Sequence, residues 1–402
     1  MPQSTGLPPE DDRAMHCLTT DLPMLHIRGR TTLPIVQGGM GVGVSAHRLA
    51  GTVARECAVG TLSSVDLRRH HPDLMEATGK SRDKDTIDNA NLVALDREVK
   101  AALELSEGNG IVAVNVMRAV TEYASYVRQS CESGAHAIVV GAGLPLDLPD
   151  LASEYPDVAL VPILSDARGI GVVVKKWMRK NRLPDAIVIE HPGHAGGHLG
   201  ASKVEDLHDK RFDFEVVLEG AFNLFRELGL ACEKIPLIVA GGISTPQRVR
   251  ELIGLGAAAV QIGTPFAVTQ EGDAHPNFKK VLAEAKPEDI VEFVSVAGLP
   301  ARAVRTPWLA KYLEKLPVME RRRKPRTQCT LAFDCLQACG LRDGIAKFGQ
   351  FCIDLHLAAA LEGNIERGLF FRGAGRLPFG DRIRPVRELL AYLLSKPEPQ
   401  TA

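Results

Sequence analysis

Pro236-Leu237-Ile238-Val239-Ala240-Gly241-Gly242-Ile243, then Thr245-Pro246, then Ala259-Val260-Gln261-Ile262-Gly263-Thr264, spells one complete strand–loop–helix–strand unit. The two apolar runs, β-branched and bounded by glycine, read as buried parallel strands. Thr245 suits the N-cap of the intervening helix and Pro246 its first turn. That helix turns Val249, Leu252 and Ile253 inward and stops at Gly254 or Gly256. Two parallel strands joined by a helical crossover form the βαβ unit.

Outward from this unit the pattern recurs. Upstream candidate strands are Leu33–Gln37, Ala58–Leu62, Ile111–Val116, Ala137–Gly141, Val158–Leu164 and Ala186–Ile189. Helices are expected through Leu49, Val53 and Ala54 with Ser45 as cap, then over 91–105, 122–133, 171–180 and 221–228. Eight strands, each with a crossover, predict an α/β fold: a closed (β/α)8 TIM barrel with an inserted or appended, mostly helical segment. A doubly wound open sheet shows the same alternation and is the competing architecture. The domain reading is a polar N-terminal leader over 1–30, the barrel over 31–310 and a helical C-terminal appendage over 311–402. Helices are expected in the appendage near 353–362 and 386–394, with a Gly/Arg-rich connection from Gly368 to Arg382 between them.

Composition narrows the class. With 402 residues and 45% hydrophobic content the chain can bury a large core. Aromatics are only 5% against 37 glycines, which suits α/β packing. A net charge of -1 argues against nucleic acid or an anionic membrane as partner, and the basic run Arg321–Arg326 reads as a solvated connector. The first residues lack the apolar core of a signal peptide, and no apolar run reaches spanning length. The expectation is a soluble, cytoplasmic protein.

If the barrel closes, the residues just after its strands share one rim, where active sites of this architecture gather. They are Gly38-Gly39-Met40, Asn115, the stretch Glu190-His191-Pro192-Gly193-His194-Ala195-Gly196-Gly197-His198-Leu199-Gly200, Gly241-Gly242 and Gly263-Thr264. The Glu190–Gly200 stretch holds four glycines and three histidines directly after a strand. Glycines after strands seven and eight free backbone N–H groups for a phosphate, and Thr264 adds a hydroxyl. Gly39-Met40-Gly41-Val42-Gly43 lacks the spacing of a dinucleotide loop, so a mononucleotide fits better. A metal site from His191, His194 and His198 lacks carboxylate support. Asp166 and Arg168 read as a surface ion pair, Lys175-Lys176 and Lys279-Lys280 as solvated helix faces, and His70-His71 receive no role.

Together, Pro34–Met40, Val114-Asn115-Val116-Met117, Ala195–Gly200, Ala240–Ile243, Gln261–Thr264 and Gly298–Arg302 resemble the nitronate monooxygenase family, over about 33–305. The wider superfamily also holds FMN-dependent enoyl-acyl-carrier-protein reductases and NAD(P)H:quinone reductases. The resemblance implies FMN, with its phosphate on Gly241, Gly242, Gly263 and Thr264. Its ring would lie against Gly38, Gly39, Met40, Asn115, Gly196 and Gly197, with Glu190 and Gln261 in the same set. His198 matches the family's catalytic histidine. Histidine suits a neutral-pH donor or base, and its cationic form would attract an anionic nitronate. The Glu190–His194 segment departs from the family pattern.

Eight cysteines are present. Four of them, Cys329, Cys335, Cys339 and Cys352, cluster in the tail. Four thiolates complement an iron–sulfur cluster or a zinc ion; the third alternative is no metal. Cys17, Cys57, Cys131 and Cys232 read as structural. The function readings are an FMN-dependent monooxygenase of nitronates or related carbanion-forming substrates, an NAD(P)H-dependent FMN reductase of enoyl thioesters or quinones, and a non-flavin phosphate-binding barrel. The expected partners are a small-molecule substrate, O2 and, for the reductase, NAD(P)H, with a homodimer as the candidate assembly.

Overall fold

The computed structural model describes residues 17–322, 324–326 and 328–397. Of the leader expected over 1–30, residues 1–16 lie outside this range, as does Arg323 of the basic run. The end of that leader is structured. β1 (Leu25–Ile27) and β2 (Arg30–Thr32) pair antiparallel, Leu25 opposite Thr32. Their alternation turns Leu25 and Ile27 onto Val36, Val59, Ile111 and Ile238, the first inward layer of the barrel. The hairpin plugs the N-terminal end.

The barrel strands are β3 (Ile35–Gln37), β4 (Val59–Ser63), β5 (Ile111–Met117), β6 (Ala137–Gly141), β7 (Ala159–Leu164) and β8 (Ile187–Glu190). Past β9 (Gly197–His198), which lies outside the barrel, follow β10 (Leu237–Ala240) and β11 (Ala259–Ile262). All barrel pairs are parallel, and β8 closes on β10 with Ile187 beside Leu237. The open sheet is thereby excluded. The eight strands expected from apolar runs are all present, their ends differing by a residue or two. Small inward residues, among them Ala113, Ala137, Ala159, Ala186 and Ala259, leave room for the plug and for branched neighbours in the same layer.

Helix starts show where local chemistry decides and where it loses. Thr245 caps the helix Pro246–Gly254 as expected, its Oγ1 accepting from Arg248 N at 3.2 Å. Ser45 does not cap the helix His47–Arg55. The Asp273 carboxylate takes that end, accepting from Ala46 N at 2.8 Å and Leu49 N at 3.2 Å. Ser45 Oγ accepts from Met40 N instead (2.8 Å), bracing the first rim loop. A long-range carboxylate beats the adjacent hydroxyl because a charged acceptor bonds the helix-end amides more strongly.

Three further expectations are corrected. Asp166 is a cap rather than an ion-pair partner, its Oδ1 accepting from Gly169 N at 2.7 Å. Lys279 is buried and donates to Gln270 O at 3.0 Å. His70 bonds Gly43 O through Nε2 at 2.8 Å, and His71 pairs with Glu98 at 3.1 Å. Cys17 and Cys57 form a disulfide with Cα atoms 5.6 Å apart; the other six cysteines are free thiols.

Two pieces after the barrel shape the rim. β12 (Ile290–Val294) and β13 (Pro300–Val304) form a hairpin, and β13 pairs antiparallel with β9, setting Ala301 opposite His198 and Arg302 opposite Gly197. The tail then supplies helices over Pro307–Arg322, Ile353–Leu361 and Val386–Leu394, the last burying Val386, Leu389, Leu390 and Leu393. Among the described residues no helix is long and apolar enough to cross a membrane.

Candidate active site

A cavity of about 600 Å³ opens at the C-terminal ends of the strands. Its wall includes Gly38, Gly39, Met40, Asn115, Glu190, Gly196, Gly197, His198, Gly241, Gly242, Gln261, Gly263 and Thr264. The rim residues singled out from sequence thus converge on one space. Gly241 and Gly242 sit at φ +114° and +71°, where a side chain is strained. This bend turns the backbone at the end of β10 under the histidine loop, and a Cβ at Gly242 would lie 3.0 Å from His194 Cβ.

The histidine loop is held from below. Arg302, 2% exposed, donates to Pro192 O at 3.1 Å and to Ala195 O, and pairs with Glu292. β9 then hydrogen-bonds to β13, so His198 is presented from a strand rather than a free loop. Its ring lies edge-on to Phe371, centroids 5.5 Å apart. His198 Nε2 is fully enclosed and has no hydrogen-bond partner in the described structure. Burial pushes its pKa down to about 4, so the imidazole is neutral near pH 7. This corrects the expected cationic attraction: the ring offers one hydrogen bond to a guest, without charge.

Glu190 ends β8 half-buried on the cavity wall. Burial pushes its carboxyl up to about 7, with Arg302 opposing. It shares this with Asp354, the other wall carboxyl that burial raises to about 7 and which Arg69 holds at 2.9 Å. His194 also lines the cavity but stays solvent-exposed, and partial desolvation of its ring, with neighbouring His191 adding to the effect, lowers its pKa. His191 turns under the loop, its Nδ1 accepting from Gly193 N at 3.0 Å.

Among the described residues no group of three or more His, Cys, Asp or Glu is disposed to hold a metal ion. That applies to the three histidines and to Cys329, Cys335, Cys339 and Cys352. Cys335 and Cys352 stand near enough to the other tail thiols that ionising those disfavours ionising them, and three of the four have a local setting. Cys339 Sγ accepts from Arg342 N at 3.5 Å, Cys352 precedes the helix Ile353–Leu361, and Cys335 lines the cavity. Burial raises Cys335 far above the usual thiol range and Cys352 to about 12, so both are protonated.

The tail contributes more than the sequence suggested. Leu336, Ile353, Leu357, Leu369 and Phe371 form an apolar wall, and Arg372, Gly373, Gly375 and Arg376 line the cavity beside them. The only sequence signal was the glycine–arginine alternation inside a stretch read as a connection. Arg302 had a clearer one, as the last residue of Gly298–Arg302.

Comparison with known proteins fits this geometry. A sequence model described as nitronate monooxygenase matches residues 24–396. A probable nitronate monooxygenase of Bacillus subtilis (strain 168) is 28% identical over 289 residues, 69% of this chain and 78% of that protein. A nitronate monooxygenase of Pseudomonas aeruginosa is 32% identical over 120 residues, 30% of this chain and 31% of the other. Among solved structures, FabK from Thermotoga maritima superposes with TM-score 0.61 at 22% identity, covering 90% of this chain and 91% of that one. Nitroalkane oxidase from Streptomyces ansochromogenes gives 0.60 at 18% identity, covering 90% and 94%. At these identities the structural likenesses speak for the fold alone. The match along nearly the whole described chain decides the rest: this protein belongs to the nitronate monooxygenase family and is an oxidoreductase.

Proposed function

We propose that the protein binds FMN at the barrel rim and oxidises alkyl nitronates, or related small carbanion-forming substrates, with O2. The observation that carries this reading is His198 Nε2, enclosed, unpartnered and set in a cavity walled by glycines. An enclosed polar atom without a partner is costly, so its partner is a guest. The cavity, about 600 Å³, has the size of a cofactor site with room for a small substrate. Gly241, Gly242, Gly263 and Thr264 would hold the phosphate, and Gly38, Gly39, Met40, Asn115, Gly196 and Gly197 the ring, with Glu190 and Gln261 beside them. Bound there, FMN supplies the redox capacity.

The chain's own residues orient substrate and manage protons. His198 gives a hydrogen bond to the nitro group. Glu190 exchanges a proton near neutrality, and its sign matters. Below about pH 7 its carboxyl is neutral and tolerates an anionic nitronate; above, the carboxylate repels it. The kcat/KM for a nitronate is therefore expected to fall as pH rises through about 7. The Glu190→Gln variant should flatten that limb, and a limb that survives in it removes Glu190 from this role.

A second reading rests on the apolar wall of Leu336, Ile353, Leu357, Leu369 and Phe371. An apolar wall of that kind would also suit an enoyl thioester or a quinone reduced at NAD(P)H expense. Anaerobic mixing separates the two. Bleaching of the yellow protein by nitronate alone supports the first, and bleaching by NADH or NADPH the second. A colourless protein that takes up no FMN sinks both. Neither reading uses a metal at the tail cysteines, since among the described residues no group of three or more His, Cys, Asp or Glu is disposed to hold one. We propose a cytoplasmic location on the six free thiols, which outnumber the two cysteines of the single Cys17–Cys57 disulfide that points the other way. We propose the barrel over 31–310, with the Leu25–Thr32 hairpin as its plug and described residues of the segment after 310 lining part of its cavity.

A further inference from the structure

Arg372 is 4% exposed, and among the described residues no carboxylate pairs with it. The other deeply buried arginines have their acids: Arg68 bonds Asp66 at 2.7 Å, and Arg302 bonds Glu292. Arg372 instead spends its donors on carbonyls. Nε donates to Leu282 O at 2.9 Å, and Nη1 to Gly373 O at 2.8 Å and Gly375 O at 3.2 Å. Nη2 makes no described hydrogen bond, and the residue lines the cavity. A buried cation with no counter-charge is costly, and burial alone drags its pKa down.

The turn that Arg372 braces lies on the rim positions read as a phosphate cradle. Gly373 N donates to Thr264 Oγ1 at 3.0 Å, behind β11. Ala374 N donates to His194 O at 3.1 Å, in the loop after β8. Gly375 packs on Gly242, behind β10, where an added Cβ would stand 3.5 Å from Gly242 Cα. The approach is close at Gly196 too, where a Cβ would come within 2.5 Å of Gly373 N. One short turn therefore joins three strand ends.

We propose that Arg372 is the counter-charge for a phosphate monoester seated on Gly242 and Thr264, and that Gly373-Ala374-Gly375 is the strap closing over it. The proposal deepens the FMN reading and rests on it for the identity of the ester. Planar guanidinium donors match phosphate oxygens, and a charge-assisted bond of this kind is worth about 10- to 100-fold in affinity.

The test is titration of flavin-free protein with FMN and with riboflavin, which lacks the phosphate, followed by fluorescence quenching. Wild type should prefer FMN. Arg372→Met should weaken FMN about 10- to 100-fold and leave riboflavin unchanged. Equal weakening of both ligands, or undiminished FMN binding, overturns the proposal and makes Arg372 a brace for the turn alone. Should the methionine variant not fold, Arg372→Lys decides the same point. It keeps the charge while losing the fork to Gly373 and Gly375, so a retained preference for FMN supports the counter-charge and a lost one overturns it. If wild type binds neither flavin yet is stabilised against heating by inorganic phosphate in an Arg372-dependent way, the anion site stands and the FMN reading fails. If phosphate does nothing either, both fall.

Discussion

His198→Ala is expected to retain its flavin and lose turnover by about 10²- to 10⁴-fold, the usual worth of a positioned acid, base or hydrogen-bond donor. Retention follows from how the residue is held. β9 pairs with β13 through backbone groups, His198 opposite Ala301, and alanine leaves that ladder intact. The ring lies edge-on to Phe371, and its Nε2 has no protein partner to strand. Deleting it therefore opens space beside Phe371 without orphaning a buried group. The pH behaviour sharpens the test. With its pKa held near 4, the imidazole changes charge below the neutral range. The variant should lose amplitude while keeping the shape of the profile between pH 6 and 8, where wall carboxyls such as Glu190 titrate and the imidazole does not. Flavin content from the absorption spectrum and kcat on a nitronate are the measurements. Unchanged kcat at full flavin occupancy takes His198 out of the reaction.

The barrel was legible because its signal is redundant. Runs such as Leu237–Ala240 and Ala259–Ile262 are buried on both faces, and strands of that kind read as unbroken apolar stretches. The rim glycines and His198 were legible for the same reason: they follow those runs directly. What stayed hidden depends on contacts between residues far apart in sequence. β9 is two residues long and exists only because β13 lies beside it. Ser45 has the right chemistry for a cap, but Asp273, 227 residues from Ala46, takes the position. The strap at Gly373–Gly375 reads as a flexible connection until Thr264 and Gly242 are seen beneath it. Charge states were the least readable. Glu190 and His198 have ordinary side chains, and only enclosure moves them in opposite senses, one up to about 7 and the other down to about 4.

Arg302→Met is expected to destabilise the protein by about 2–4 kcal/mol and to move the limb of the pH profile upward. Methionine matches the length of the arginine stem and packs where Arg302 is 2% exposed, so little volume is lost. The cost is polar. Pro192 O and Ala195 O lose their donor inside the loop that carries Glu190 toward His198. Glu292 loses its cross-strand partner but keeps a 28% exposed side chain, which holds the penalty below that of a fully stranded buried charge. The pH effect has a separate cause. Arg302 is the one charge opposing the upward push of burial on Glu190, so removing it raises that carboxyl further. The nitronate kcat/KM should then stay high to a more alkaline pH before falling, in the protein that remains folded. Arg302→Lys, which keeps the charge but not the fork of donors, should lose stability while leaving the limb in place. Denaturant unfolding and the two pH profiles read these effects independently. A methionine variant whose limb coincides with that of wild type would show that Arg302 holds the loop and leaves the Glu190 proton alone.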